Sequence, residues 1–326
     1  MKLLVTGGAG YIGSHMVRHA LELSHDVVVL DDFSKGHKWA VQGCEILNVN
    51  LLNKEKLSQL LNKRYFDGVI HFAAMSLVSE SITNPLKYYH NNLVSTLNLI
   101  SEMLNNNIDN FVFSSTAAIF GNPQTDKIKE NHPKNPINPY GQSKLMIENI
   151  LYDVCKTRNL NAICFRYFNA AGAHHSGEIG EAHDPETHLI PNIIRSMLYK
   201  EEILKVFGND YDTHDGTCIR DYVHVSDLAS AHMFGLNYLQ KNKGFSSFNL
   251  GNGDGFSVLD VIASCERAMN KSIPYVFNQK REGDPAKLVA DCEKAMNILG
   301  WQPKFNSLDS IVSSALKWHK YYQERF

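Results

Sequence analysis

Two stretches of this 326-residue chain carry residue types that can do chemistry at a useful spacing. The first is Thr6-Gly7-Gly8-Ala9-Gly10-Tyr11-Ile12-Gly13, directly after the apolar run Leu3-Leu4-Val5. It satisfies Gly-x-Gly-x-x-Gly from Gly8 and Gly-x-x-Gly-x-x-Gly from Gly7. Glycines let backbone approach a pyrophosphate, and a helix starting there offers unpaired amides to its charge. Alone, such a match carries little weight and could be a plain strand-to-helix turn. Here Asp31 closes the next apolar run, close to the ~20-residue offset expected for a carboxylate on the adenosine ribose. A carboxylate accepts from a free 2′-hydroxyl and repels a 2′-phosphate, so NAD is expected rather than NADP.

The second stretch holds Tyr-x-x-x-Lys, which occurs twice, as Tyr140/Lys144 and Tyr152/Lys156. On one helix the second pair would sit about 18 Å further along and about 120° round, so both cannot face one cofactor. Tyr140 opens its helix after an Asn- and Pro-rich loop, Asn131 to Pro139, and is the one near the sheet edge. Open parallel sheets bind ligands beyond their strand carboxyl ends, where the fifth strand delivers Ser114, Ser115 and Thr116. A free tyrosine has a pKa near 10, and a lysine one turn away plus a cationic nicotinamide would stabilise the phenolate. Tyr140 becomes a usable base, Lys144 its support and Thr116 a hydroxyl that shortens the proton's path. Tyr152/Lys156 reads as an ordinary surface pair.

These residues need a frame. Short apolar runs at Leu3 to Val5, Val27 to Leu30, Glu45 to Leu47, Gly68 to Ala73, Phe111 to Ser115 and Ala162 to Tyr167 read as strands covered on both faces. Helical spacing links Ile12, Met16, Ala20 and Leu23, and again Leu93, Leu97, Ile100 and Leu104. The alternation predicts an α/β fold, a Rossmann-type doubly wound parallel sheet, with a smaller α/β substrate-binding domain. The expected division is 1–168 for the NAD-binding domain and 169–326 mainly for the substrate domain, with a segment near 218–240 returning to the first. Within it, Val223-His224-Val225 followed by Ser226-Asp227 reads as a strand passing to a capped helix. Lys plus Arg total 32 against 34 Asp plus Glu, so no global field recruits nucleic acid or an anionic membrane. The six cysteines form no Cys-x-x-Cys pair, which argues against a zinc ribbon or a secreted disulfide framework. With no signal peptide and no apolar run long enough to span a bilayer, the expected location is the cytoplasm. A metal site among His174, His175, His183, His188, Glu178, Glu181 and Asp184 follows no tetrahedral spacing, so a polar loop is preferred and no metal is expected.

With the glycine loop, Asp31, Phe113-Ser114-Ser115-Thr116 and Tyr140-Gly-Gln-Ser-Lys144 assembled, the chain resembles the extended short-chain dehydrogenase/reductases. Arg166-Tyr167-Phe168-Asn169, Gly172-Ala173-His174, Phe207-Gly208-Asn209-Asp210-Tyr211, Asp215-Gly216-Thr217, Arg220-Asp221-Tyr222-Val223-His224 and Arg281-Glu282-Gly283-Asp284 make it similar to the UDP-glucose 4-epimerase family, over about residues 1 to 303. The resemblance implies an internal redox reaction on a UDP-hexose. Tyr140 takes the proton of the sugar's 4-hydroxyl while hydride passes from carbon 4 to bound NAD, and the 4-keto sugar rotates and is reduced on its other face. It also implies cofactor contacts from Gly7, Gly10, Tyr11, Ile12, Gly13, Asp31, Asp32, Asn50, Leu51, Phe72, Ala73, Ala74, Asn91, Ser114, Tyr140, Lys144 and Phe168. The UDP-sugar would meet Thr116, Tyr140, Asn169, His188, Leu189, Val206, Phe207, Arg220, Arg281, Asp284 and Leu288. Guanidinium forks at Arg220 and Arg281 suit a pyrophosphate, and Asp284 suits the uridine ribose. A homodimer is implied, with the helix around Leu93 to Met103 and the one after Tyr140 packing against their copies.

Some positions depart from the family's usual pattern. Asn50 stands where an acid commonly meets the adenine amino group, at a cost of about 1 kcal/mol. Ser76 stands where a lysine often reaches the cofactor pyrophosphate, so NAD is expected to be held less tightly. His188 replaces an asparagine, and Phe120 a tyrosine. Leu288 lies where glucose-restricted relatives often carry a tyrosine: either the wall is lowered and 2-acetamido sugars enter, or Leu288 is a core leucine and the pocket closes elsewhere. Dehydratases and decarboxylases of the superfamily need an acid or an acid pair just after the strand-five hydroxyl, and Ala117-Ala118 supplies none. A 4-epimerase of pentoses or uronates stays open. An idle NAD-binding regulatory module is disfavoured by intact Thr116, Tyr140 and Lys144.

Overall fold

Alternation within the first strand already separates two layers. Leu3 and Val5 face one way and Leu4 the other, and each falls in a different buried cluster. The computed structural model describes residues 1–199, 203–281 and 284–325. Glu282 and Gly283, two residues of the Arg281–Asp284 motif, lie outside the described residues.

In chain order the first part runs β1 (Lys2–Thr6), α1 (Tyr11–Glu22), β2 (Asp26–Asp31), β3 (Glu45–Asn48), α2 (Lys54–Leu61), β4 (Gly68–His71), α3 (Val78–Thr83), α4 (Pro85–Tyr89), α5 (Ser95–Asn105), β5 (Asn110–Thr116), α6 (Pro139–Thr157) and β6 (Asn161–Tyr167). There follow β7 (Asn169–Ala171), α7 (Leu189–Leu198), β8 (Leu204–Phe207), β9 (Ile219–His224), α8 (Val225–Leu239), β10 (Phe245–Leu250), β11 (Gly255–Ser257), α9 (Val258–Met269), β12 (Tyr275–Asn278), β13 (Lys287–Leu288) and α10 (Leu308–Arg325). The main sheet has seven parallel strands in the order β10-β6-β5-β4-β1-β2-β3. This is the doubly wound Rossmann-type arrangement, with its reversal between β1 and β4, where a crevice opens at the strand carboxyl ends. Residues of α1 and α8 pack on one face; α2, α5 and α6 pack on the other.

The remaining strands build two small sheets: β11-β9-β13 with β7 beside β9, and β12 with β8. A third core cluster joins α7, α9 and α10, through residues such as Ile193, Ile262 and Ile311. The chain crosses back: α8 lies against α1 and β10 takes the edge of the main sheet beside β6.

Five local expectations change. The strand at Glu45 to Leu47 is not covered on both faces: β3 forms the sheet edge, with Glu45, Ile46 and Asn48 exposed and only Leu47 buried. The strand expected to reach Ala73 ends at His71, because the amides of Phe72 and Ala73 both turn to the Thr6 carbonyl. Leu23 is the C-cap of α1 and is half exposed. Leu97 is also exposed: α5 buries Thr96, Leu99, Ile100 and Met103, and Leu97 is turned about 100° from Thr96. The cap of α8 is the His224 ring, which accepts from the Ser226 amide, while Asp227 holds the Lys304 and Phe305 amides.

Candidate active site

The glycine loop joins β1 to α1 at the sheet's reversal point. Gly7 has φ +68°, and a Cβ there would lie 2.5 Å from the Ala73 nitrogen, so only glycine lets β1 and β4 approach at this turn. A Cβ on Gly13 would lie 2.1 Å from the Gly7 oxygen. Gly10, the N-cap of α1, is different: a Cβ there would meet only the Gly7 oxygen, at 3.4 Å. The loop is thus closed on the protein side and open at Gly10, where the first-turn amides of Tyr11, Ile12 and Gly13 begin the helix. That cradle fits an anionic dinucleotide.

Asp31 ends β2 and is 7% exposed. Its carboxylate takes the Ala9 amide at 2.9 Å and the Phe33 amide at 2.8 Å, and burial raises its pKa against those two bonds. A carboxylate has about four acceptor sites, so a ribose can still be received. Asp32 takes the Ser34 amide and the Asn50 side-chain amide, at 2.9 and 2.7 Å. Asn50 accepts in turn from the Leu52 amide, and Leu51 is buried. Phe72, Ala73 and Ala74 follow β4, with the Phe72 ring 4.8 Å from that of His232. Ser76 lies in the segment that follows them, before α3.

Tyr140 and Lys144 occupy the first turns of α6, which starts with Pro139 and is capped by Asn138 accepting from the Gly141 amide at 2.8 Å. Thr116 ends β5 and itself caps the short 3₁₀ turn Ala117–Phe120. Lys144 is 2% exposed; its ammonium donates to the Ser114 carbonyl at 2.7 Å and stands 4.7 Å from the Phe113 ring centroid and 5.9 Å from that of Tyr140. Burial pushes the lysine down to about 7. Burial also raises the Tyr140 phenol, while its hydrogen bond with Thr116 opposes the rise. The tyrosine is therefore not lowered by its lysine as expected: desolvation sets the direction at both groups, and the one that opposes it at Tyr140 is Thr116. Tyr152 is exposed, with the Lys156 ammonium 4.0 Å over its ring, away from Tyr140.

On the other side, Phe168 follows β6 and Asn169 opens β7, in register with Tyr222 on β9. His188 is the N-cap of α7 and Leu189 its first residue. Val206 and Phe207 end β8, and the Arg281 guanidinium lies 4.1 Å over the Phe207 ring. Arg220 and Asp284 pair with each other, and Leu288 stands beside Arg220 across β13 and β9. Arg220, Asp284 and Leu288 therefore form one wall. The expected separate duties of Arg220 and Asp284 meet in an ion pair, because a half-buried carboxylate takes the nearest fork.

Residues beyond those expected also converge on the site. Arg166 on β6 grips Glu148 on α6 with two bonds, 3.0 and 2.7 Å, and the Ser115 hydroxyl donates to the same carboxylate at 2.6 Å. All three are buried and tie α6 to the strand bearing Thr116. Asn92 bonds both polar groups of the Met75 backbone and the Ser143 hydroxyl, beside the expected Asn91. An arginine inside an apolar strand was the available signal for the first; nothing in the sequence singles out Asn92. Of the His-rich segment, Asp184 points its carbonyl to Lys35 and His174 pairs with Glu22.

The family model for the NAD dependent epimerase/dehydratase family matches residues 3–251. A UDP-glucose 4-epimerase from Halalkalibacterium halodurans is 47% identical over 320 residues, covering 98% of this chain and 96% of that protein. Among solved structures, UDP-glucose 4-epimerase from Bifidobacterium longum in complex with NAD+ and UDP superposes with TM-score 0.95, at 35% identity and full coverage of both chains. The UDP-Glc/GlcNAc 4-epimerase of Campylobacter jejuni superposes with TM-score 0.86, at 42% identity over 98% of this chain and 99% of that one.

Proposed function

The chain belongs to the NAD-dependent epimerase/dehydratase family, and on that premise we propose that it interconverts UDP-galactose and UDP-glucose through a transient 4-keto sugar. Its cofactor is NAD. The observation that carries this reading is the meeting of Thr116, Tyr140 and Lys144 at the carboxyl end of β5, in the sheet whose β1 leads into the glycine loop, followed by Ala117-Ala118 where an eliminating enzyme needs an acid.

The chemistry that NAD supplies when bound is reversible hydride exchange at carbon 4, with no net oxidation. It would be held by the first-turn amides after Gly10 and by Asp31. Tyr140 takes the proton of the 4-hydroxyl and returns it, and Thr116 holds the phenol's oxygen in place. Lys144 presents a nearly buried ammonium whose one carbonyl partner leaves donors for the ribose of the cofactor. Asn169, Leu189, Phe207, Arg220, Arg281 and Asp284 are assigned to the UDP moiety, with the pyrophosphate drawing the guanidinium of Arg220 away from Asp284.

The test is incubation of untagged protein with UDP-galactose, no NAD added, followed by chromatography. UDP-glucose is the expected product. No conversion even with NAD supplied would overturn the reading and favour a pentose or uronate epimerase, or an idle module. A second substrate pair rests on Leu288, a branched side chain beside Arg220 where a bulkier ring would narrow the wall, and on the two-sugar activity named for the Campylobacter jejuni relative. Conversion of UDP-N-acetylgalactosamine supports the open wall; its absence, with UDP-galactose still turned over, leaves Leu288 a core leucine.

The assembly is proposed to be a homodimer. Val78, Ile82, Leu86, Leu97 and Met146 are exposed apolar side chains on α3 to α6, and a second copy would cover them. Light scattering at micromolar concentration would return twice the 36.8 kDa chain mass. A cytoplasmic location is part of the proposal: all six cysteines are free, which suits a reducing compartment.

A further inference from the structure

Four ligand-bearing side chains meet beside Tyr11, in a place the sugar chemistry does not use. They lie between β7 and α7: Glu181, His183, Glu186 and His188, each with one donor atom within 4.8 Å of the other three. Glu181 lies 2.9 Å from His183 Nδ1 and also pairs with His188 Nδ1. Glu186 lies 3.4 Å from His188 Nδ1 and 4.0 Å from His183 Nδ1. A tetrahedral metal with bonds of about 2.0–2.2 Å spaces its ligand atoms roughly 3.3–3.6 Å apart, so these atoms need only small shifts to close on one ion.

Charge points the same way. The Glu181 and Glu186 side chains are 4% and 2% exposed. Glu186 also accepts the Thr187 and His188 amides, at 2.8 and 2.9 Å; two buried carboxylates this close still favour a cation between them, and a dication with two neutral imidazoles balances their charge. Two nitrogens and two oxygens are a donor set for zinc rather than for magnesium, which keeps to oxygen.

We propose that Glu181, His183, Glu186 and His188 form a four-ligand structural site for a divalent transition-metal cation, zinc by its donor set. Four protein ligands leave no open position for catalysis. The site's work is to pin the segment before α7 onto the start of α1. The His183 ring stands edge-on to Tyr11 at 6.0 Å, and the Tyr11 hydroxyl donates to the Gly172 carbonyl at 2.6 Å. His188, expected at the substrate, is then held by the ion, and Leu189 begins α7 from a fixed point.

Untagged protein is stripped with a chelator, dialysed and titrated with zinc chloride alone, by calorimetry and thermal melting. The expected result is one zinc per chain with a dissociation constant of about 10 μM or tighter and a raised melting temperature. Glu186→Gln and His183→Gln should each weaken uptake at least about tenfold. His183 is a third exposed, so its variant remains foldable if the buried glutamine is not, and circular dichroism checks both. No uptake by the wild-type protein, uptake unchanged in a folded His183→Gln variant, or equal uptake of magnesium would each overturn the site.

Discussion

At the scale of single residues, burial and charge compete around Tyr140. The phenol is raised by desolvation and the neighbouring lysine lowered to about 7, so burial works against the charged form of both groups. Tyr140→Phe removes the proton acceptor and leaves the ring's packing, so turnover should fall by about 10² or more while circular dichroism and bound NAD persist. Near-normal turnover in that variant would refute the assigned base. A different contest decides Glu148. Its bidentate pair with Arg166 is wholly inside, so Glu148→Ala would strand a buried guanidinium and cost about 3–5 kcal/mol in urea unfolding. A loss below about 1 kcal/mol would show that Arg166 finds another partner. The first of these roles is legible in the sequence, since Tyr-x-x-x-Lys after a proline loop states its own geometry. The second is not, because Glu148 and Arg166 sit on separate elements and only folding makes them neighbours.

At the scale of elements, legibility follows periodicity. The six strands read from the sequence each belong to the main sheet; those covered on both faces are apolar along most of their length and leave no ambiguity of face, whereas β3 at the sheet edge exposes Glu45, Ile46 and Asn48. Helix faces are harder: the stripe through Leu97 and the buried face through Thr96 differ by one residue, and a partner surface adds apolar positions that a monomer's core does not need. The glycine loop was readable as a motif, yet its glycines do unlike things. Gly13→Ala drives a methyl into the Gly7 oxygen, at 2.1 Å, and should lower the melting temperature together with NAD retention. Gly10→Ala meets only one atom, at 3.4 Å, on the open side of the loop. It should keep the fold's melting point while losing bound NAD, read as cofactor absorbance after gel filtration. Equal melting losses in the two variants would contradict this division of labour.

At the scale of the whole molecule, the interior is stocked with neutral histidines. His15 and His71 are held down to about 3, and His224, His232 and His319 to about 4, in each case by burial first. A group whose folded pKa lies below its unfolded value near 6.5 stays neutral in the fold while the unfolded chain takes its proton. Their contribution is therefore unchanged above pH 6.5 and turns against the fold as pH drops from 6.5 toward 3 to 4. Each can remove up to about 1.4 kcal/mol per pH unit in that window. Asp221 works in the opposite sense: burial raises it to about 6, so the folded state binds its proton first and gains between pH 6 and the ordinary carboxyl value. Five histidines against one carboxyl leave a net loss, and the melting temperature should fall steeply between pH 6.5 and 4.5, while above pH 7 the buried Lys144, held down to about 7 in the fold, makes it rise. His232→Gln should flatten that slope by about a fifth of the histidine share, since its ring accepts no proton afterwards and α8 still packs on α1. A melting temperature that does not change between pH 6.5 and 4.5 would mean that these rings reach solvent, and with it their protons, before the molecule unfolds.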